Sequence, residues 1–484
     1  MPSGRRGEVI LLQPRIGYMD TLRSRPSMPL SLVHAASELC REYEVRIIDQ
    51  RLDREWARTL AKAVARRPLY VGITAITGPM VGHGLDAARV VRGTDREVPI
   101  VWGGPHPTLV AEQTVEHPLV DAVVVGDGER PALEIARRLE RGKELAGLPG
   151  VGAKRNGRPV LTPPETAPSL DQHAPPPFHL VDLTRYTPLY QGRRSLSVQA
   201  SRGCPHACRY CYNTAARNRG WRAYSAGRVL EQIRGLVREH GVEEIYFVDD
   251  NFFIDRPRAI EIARGLVEID CTWQVQGADL ESLMCFDEPT LELLRDSGCR
   301  RFSIGVESGS PRMRELLGKR GSPEQVLEAV ARLAPYGFVV FGSFMTNLPG
   351  ETLEDLQASV RLMGRLHRAN PNFRNSPFYR YTPFPGTPLF EDAVADGFVA
   401  PQSLDGWARL SYEGNTYVPT GSPGAGFHEG LYLCSLLNDA KFDDYSDSRL
   451  LRTLARLYRP LARYRLRRLA FNLMPERFVT RLWY

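Results

Sequence analysis

Twice along the chain, short runs of β-branched and apolar residues alternate with longer stretches whose apolar positions recur every three to four residues. That alternation constrains the fold more than any other feature, because parallel strands need a long crossover and a helix is the usual one. In the first tract the periodicity predicts strands over 8–14, 43–49, 69–76, 100–103 and 122–126, with helices over 30–43, 53–66, 82–92 and 130–141. The expectation is an α/β, doubly wound, Rossmann-like sheet. Ligands of such sheets lie beyond the carboxyl ends of the strands. Those ends here carry Thr77-Gly78-Pro79, Gly103-Gly104-Pro105-His106 and Gly126-Asp127-Gly128-Glu129.

A Pro-rich stretch over 163–177 favours extended backbone and marks a linker. The second tract then predicts strands over 196–201, 243–248, 272–275, 301–305, 337–345 and 378–381, with helical patterns between them. Six such units fit a partial (β/α)6 barrel. Past residue 388 the pattern is irregular and then strongly basic. The expected division is 1–150 for the first sheet, 151–189 for the linker, 190–390 for the barrel and 391–484 for a mainly helical, basic region.

Composition narrows the function classes. With 43% hydrophobic and 25% charged residues, the 484-residue chain is neither disordered nor fibrous. A net charge of +7, small beside 63 basic and 56 acidic side chains, does not imply nucleic-acid binding. Eight cysteines are too few for a disulfide scaffold, no secretory signal opens the chain and no long apolar run spans a membrane. A reducing, cytoplasmic location is expected, with the cysteines serving a local function.

That function centres on Cys204-Pro205-His206-Ala207-Cys208-Arg209-Tyr210-Cys211, a C-x3-C-x2-C spacing just after the first strand of the second tract. Structural zinc needs four ligands and commonly a second cysteine pair, which is missing. Three thiolates suit a [4Fe-4S] cluster whose fourth iron stays open. Two other readings stand beside it: three unconnected core cysteines, and an electron-transfer cluster completed by a fourth cysteine such as Cys271.

The loop resembles that of the radical S-adenosylmethionine (SAM) enzymes, with Tyr210 as the aromatic before the last cysteine. The likeness continues through Tyr246-Phe247-Val248-Asp249-Asp250-Asn251-Phe252, Trp273-Gln274-Val275-Gln276, Ile304-Gly305-Val306-Glu307-Ser308-Gly309-Ser310 and Asn347-Leu348-Pro349-Gly350-Glu351-Thr352. The resemblance implies that SAM chelates the open iron and that one electron cleaves it to a 5′-deoxyadenosyl radical. It further implies SAM contacts from Tyr210, Asp250, Gln276, Glu307 and Ser308. Asp249 and Asp250 equally suit a cap for the following helix. The family's glycine–glycine–glutamate turn is replaced here by Asp249-Asp250-Asn251-Phe252.

The first tract is similar to the cobalamin-binding domain of the cobalamin-dependent members of that family. Pro29-Leu30-Ser31-Leu32, Val45-Arg46-Ile47-Ile48-Asp49, the Gly103–Thr108 turn and the Asp121–Glu129 segment carry the likeness. It implies cobalamin contacts at Thr77, Gly78, Gly103, Gly104, His106, Gly126, Asp127, Gly128 and Glu129. No Asp-x-His-x-x-Gly spacing occurs at His34, His83, His106 or His117, so the lower cobalt face is expected to lack a histidine.

The leading expectation is a C-methyltransferase acting on a small biosynthetic substrate, with cluster, SAM and cobalamin as cofactors and a low-potential, flavodoxin-like electron donor. The alternatives are oxidation, cyclisation or ring rearrangement with the same cofactors, and a non-catalytic iron–sulfur protein. The arginines of 449–484, Arg477 and Arg481 among them, form an amphipathic pattern read either as an ordinary helix or as a peripheral membrane contact. Tyr379, Tyr381, Trp407, Tyr412 and Tyr417 line a substrate pocket or fill a core.

Overall fold

The computed structural model describes residues 6–17, 20, 26–165, 169–187, 189–190, 193–216, 220–410, 417–438, 449–471 and 474. Tyr412, Arg477 and Arg481 lie outside the described residues.

Five parallel strands build the first sheet: β1 (Arg6–Gln13), β2 (Tyr43–Asp49), β3 (Tyr70–Thr74), β4 (Ile100–Gly103) and β5 (Ala122–Val124). Their order is β2-β1-β3-β4-β5, so the connections leave β1 and β3 in opposite directions and open a crevice at their carboxyl ends. β3 is buried at every position, as a strand covered on both faces must be. Leu32, Ala36, Ala132 and Ile135 pack one face, while Leu60, Val64, Val81 and Leu85 pack the other. This is the doubly wound arrangement that the periodicity predicts.

The sheet does not stop at residue 150. β6 (Val151–Arg155) and β7 (Arg158–Leu161) form a hairpin that adds antiparallel to β5. The stretch expected to be linker therefore begins as sheet. Its turn is Asn156-Gly157, both with positive φ (51° and 76°), the two-residue connection whose twist matches the flanking strands. Residues after it also pack inward, since Leu170, Leu183 and Tyr186 are buried in the core of the second domain.

β8 (Leu189–Tyr190) pairs antiparallel with β9 (Arg193–Val198). Between β9 and the next sheet strand, β10 (Ser201–Gly203) and β11 (Trp221–Ala223) make a separate two-stranded ribbon. The second sheet continues with β12 (Glu244–Phe247), β13 (Thr272–Ala278), β14 (Cys299–Glu307), β15 (Val339–Thr346) and β16 (Phe373–Arg380). Six strands run parallel in the order β16-β15-β14-β13-β12-β9, matching all six expected strands. The sheet remains open, a partial barrel. Its β16 edge is covered by the helix Ala425–Asn438: Phe378 N–H donates to Ser435 Oγ at 3.0 Å and Asn375 Nδ2 to the Ser435 carbonyl at 3.0 Å.

The C-terminal region ties the two sheets together. The helix Leu404–Ala408 returns to the first domain, where Leu404 enters the core and Trp407 Nε1 donates to Gln113 Oε1 at 2.8 Å. Tyr381, Trp407 and Tyr417 are buried in a satellite core, which settles these aromatics as packing residues. Tyr379 stays partly exposed on β16.

Candidate active site

The cysteine loop leaves β10 through Gly203, whose φ of +86° brings it so close to the Gly220 carbonyl that a Cβ would lie 1.9 Å away. Glycine is required there. The loop is then held down from the barrel: Arg209 N–H donates to the Leu317 carbonyl at 3.0 Å, and Leu389 N–H to the Arg209 carbonyl at 3.0 Å. Cys204, Cys208 and Cys211 are half-buried and free of disulfides. Burial, backed by the neighbouring thiols and Asp250, pushes Cys211 up to about 11 and raises Cys204. Iron must therefore displace protons from these sulfurs.

The donor set fits a cluster. The His206 and Asn213 amides and the Asn251 side chain donate hydrogen bonds that favour charged sulfur at Cys204 and Cys211. Asn251 Nδ2 stands 3.9 Å from Cys204 Sγ and donates to Asp279 Oδ2 at 3.0 Å. Asp279 also accepts from Ser282 N–H and Oγ at 2.9 and 2.6 Å. Burial alone would raise its carboxyl, but the nearby His206 ring, 3.8 Å away, and the bonds from Ser282 and Asn251 hold it well below the usual carboxylate range. Among the described residues no three His, Cys, Asp or Glu groups converge on one metal-ion position.

Cys271 is excluded as a fourth ligand by its place. It precedes β13, whereas the cysteine loop follows β9 on a sheet whose strands run parallel, so a strand length of roughly 20 Å separates them.

Glu307, the last residue of β14, has φ +61° and turns its carboxylate back over Gly305, where a Cβ would lie 2.1 Å from Oε1. A left-handed backbone at a non-glycine residue stores strain of order 1–3 kcal/mol and needs support from its surroundings. Arg314 supplies it: the buried guanidinium donates to the Val306 carbonyl at 2.6 Å, to Arg320 at 2.8 Å and to Gly321 at 2.8 Å. Tyr210 Oη donates to Glu307 Oε1 at 2.8 Å, Ser343 Oγ lies 3.3 Å from Oε2, and Lys319 Nζ 3.9 Å from Oε1. Burial first, and the Glu307 charge second, raise the Tyr210 phenol well above its ordinary value, so it stays a donor. Tyr210 and Glu307 are thus brought together 97 residues apart in sequence.

The other residues expected at SAM divide. Asp250 accepts from Gly203 N–H at 2.7 Å and lines the cleft described below. Asp249 is buried, accepts from Ala200 N–H at 3.0 Å and from the Ser201 hydroxyl, and burial pushes it up to about 6. Neither acid caps the helix Arg256–Leu266; Asp255 does, accepting from Arg258 N–H at 3.0 Å. Gln276 is exposed on β13. Ser308 is fully buried, its hydroxyl 3.1 Å from Ser359 Oγ and accepting from Ser310 N–H, so it shapes the turn and is turned away from open space. Asn251, Asp279 and Arg314 were not expected. Their roles depend on contacts between strand ends, although Asn251 lies inside a motif that the sequence marks.

Against Arg202 and Tyr212, which flank the cysteine loop, is a cleft of about 290 Å3 lined from both domains. Leu11, Gly72, Thr74, Gly103, Gly104, Gly126 and Gly128 line it from the first domain, and Gln199, Arg202, Tyr212, Val248 and Asp250 from the second. The first wall is built by omission of side chains. A Cβ at Gly72 would lie 2.8 Å from Leu11, one at Gly104 would lie 2.7 Å from Thr74 Oγ1, and Gly126 has nothing within 4 Å of its missing Cβ. A flat ring with a nucleotide-like tail fits such a cradle.

Three residues expected there lie elsewhere. His106 is buried, with Nδ1 3.0 Å from Thr77 Oγ1 and its ring against Trp407 at 5.9 Å, and burial lowers it to about 4. Gly78 abuts the Leu410 carbonyl, 2.8 Å from where its Cβ would be. Gly78 and His106 are therefore packed against the returning C-terminal segment, with Thr77 bonded to His106, which strand-by-strand reading does not reveal.

Asp127 and Glu129 line the cleft but spend their charge on the second domain. Arg202 donates to Glu129 Oε1 at 2.5 Å and stands 3.4 Å from Asp127, which also pairs with Arg222. Burial works to raise Glu129, and Arg202 outweighs it. Burial, then Arg202, push the adjacent His34 down to about 3, so the imidazole is neutral. A buried, hydrogen-bonded pair of this kind fixes the two domains in one register.

Comparison with known proteins agrees with this geometry. Residues 198–363 match the model of the radical SAM superfamily, and residues 26–136 match that of the B12 binding domain. An uncharacterized methyltransferase of Pyrococcus horikoshii is 31% identical over 396 residues, 81% of this chain and 84% of its own. The anaerobic magnesium-protoporphyrin IX monomethyl ester cyclase of Rubrivivax gelatinosus is 27% identical over 68% of this chain and 59% of its own. The solved structure of the radical SAM methyltransferase TsrM from Kitasatospora setae, with cobalamin and a [4Fe-4S] cluster bound, shares the fold at TM-score 0.67 and 22% identity, over 81% of this chain and 76% of that one. Sequence and fold together place the chain in the cobalamin-binding radical SAM family of enzymes, whose cofactors are a [4Fe-4S] cluster, SAM and cobalamin.

Proposed function

We propose that the enzyme transfers a methyl group to an unactivated carbon of a small-molecule substrate. The observation that carries this reading is the shared cleft, in which a glycine-lined wall faces Asp250, Arg202 and Tyr212, the last two flanking the cysteine loop. When bound, the three cofactors supply one-electron cleavage of SAM, hydrogen abstraction from carbon and a methyl group for transfer.

Cys204, Cys208 and Cys211 would hold three irons as thiolates and leave one corner for SAM. Glu307 would accept from the SAM amino group, its carboxylate oriented by Tyr210 and Ser343. Gly103, Gly104, Gly126 and Gly128 would admit cobalamin, while Arg202 and Arg222 hold the domains closed against Glu129 and Asp127 and keep bulk water out. A low-potential one-electron donor of the flavodoxin type completes the requirement.

The test is anaerobic turnover of the reconstituted enzyme with methyl-deuterated SAM and a metabolite extract. A product heavier by the labelled methyl group, formed together with 5′-deoxyadenosine, supports the reading. The likeness to the cyclase favours a second reading, the same cofactors without methylation. Consumption of a metabolite with 5′-deoxyadenosine but no label in any product selects it and overturns methyl transfer.

A further inference from the structure

The helix Arg449–Arg468 carries two apolar faces, and among the described residues only one is packed against the body of the protein. Ala455, Ala462 and Leu466 are buried (3%, 0% and 2% exposed), and Tyr458 and Leu469 pack against the main core. The helix lies on Ala425–Asn438, where Arg463 Nε donates to Asn438 Oδ1 at 3.1 Å. A different set, Leu450, Leu454, Leu457, Leu461 and Tyr464, is 67%, 50%, 75%, 43% and 60% exposed. Their spacing of four and three residues keeps them in one stripe. Single exposed leucines are ordinary, but a continuous stripe running nearly the whole helix marks an interaction surface.

Charge selects the occupant. The helix holds eight arginines and no Asp or Glu, more positive charge than the net +7 of the entire chain. The chain's positive excess is therefore concentrated here, and Arg456, Arg467 and Arg468 are exposed beside the stripe. A second copy would bring eight more arginines against these, so pairing two stripes is opposed by like charge. Among the described residues no helix is long and apolar enough to cross a membrane. An amphipathic cationic helix of this kind lies in the plane of an anionic interface, its leucines at the acyl boundary and its arginines among the headgroups.

We propose that the helix Arg449–Arg468 docks the enzyme on an anionic lipid bilayer. Pro460 is compatible with this, because in the helix interior it removes a backbone hydrogen bond and favours a bend.

The test is flotation of the reconstituted holoenzyme with vesicles of phosphatidylcholine alone or with 30% phosphatidylglycerol. Binding is expected to the anionic vesicles only and to weaken as salt rises. Neutralisation by Arg456→Gln, Arg467→Gln or Arg468→Gln should cost about fivefold in partition for each arginine. The Leu454→Glu/Leu457→Glu variant should lose binding altogether while keeping the far-UV circular dichroism and SAM cleavage of the parent, since both residues are exposed and outside the cleft. Failure to float with anionic vesicles, equal binding to neutral ones, or a concentration-dependent dimer that Leu457→Glu dissociates would each overturn the proposal.

Discussion

The two domains that meet at the cleft are built on opposite principles. On the barrel side, next to the cleft, chemistry is carried by what side chains present: three thiols, the Glu307 carboxylate and the Tyr210 phenol. On the other side it is carried by what glycines withhold, while the acids of the same loop, Asp127 and Glu129, are turned to the neighbouring domain. A cofactor that must be ligated needs donor atoms at fixed corners, and one that must be enclosed needs surface without protrusions. A motif search therefore reads the barrel side well and the other poorly.

The largest effect that separates the two sides is expected at the cysteines. Cys208→Ala should reduce iron content and drop SAM cleavage to background while cobalamin binding, followed by its absorbance, persists. Loss of both cofactors together would break the idea of independent sides.

The domain clamp should come next. Arg202→Ala leaves Glu129 buried without its cation, and the expected cost is about 3–5 kcal/mol in denaturant unfolding. The Arg202→Met/Glu129→Gln pair should recover part of that loss, because neither partner then carries a buried charge. No recovery would mean that the guanidinium acts through its bond to Gln199 instead, at 2.9 Å.

Filling the glycine wall should have the converse effect of the cysteine change. Gly126→Val adds strain at φ +86° and a branched side chain in the cleft, for an expected loss of about tenfold in cobalamin affinity with cluster content unchanged. The smallest effect is expected from Tyr210→Phe, which removes one of several contacts that orient Glu307 and, at the net contribution of an ordinary hydrogen bond, should raise the KM for SAM about threefold to tenfold. A fall in kcat with KM unchanged would instead assign Tyr210 to the chemical step.

The sequence made both sheets and the cysteine loop legible because each rests on local pattern: period-two and period-3.6 apolar spacing, and three thiols within eight residues. It also held a signal that composition masked. Asn156-Gly157 marks a hairpin, yet the prolines that follow it drew the whole stretch into the expected linker. Ser308 shows the limit of motif transfer, since the left-handed turn at Glu307 ends the strand and the next side chain is taken up by Ser359 and Ser310.

What the order of residues determined by itself was the kind of chemistry, because ligand type and spacing are covalent properties of the chain. Only the tertiary structure decided which groups face the cleft. The Leu404–Ala408 helix, some 300 residues away, covers His106; Arg202 claims Glu129; and a strand's length removes Cys271 from the cluster. Burial and charge pairing are set by neighbours distant in sequence, and no local pattern encodes them.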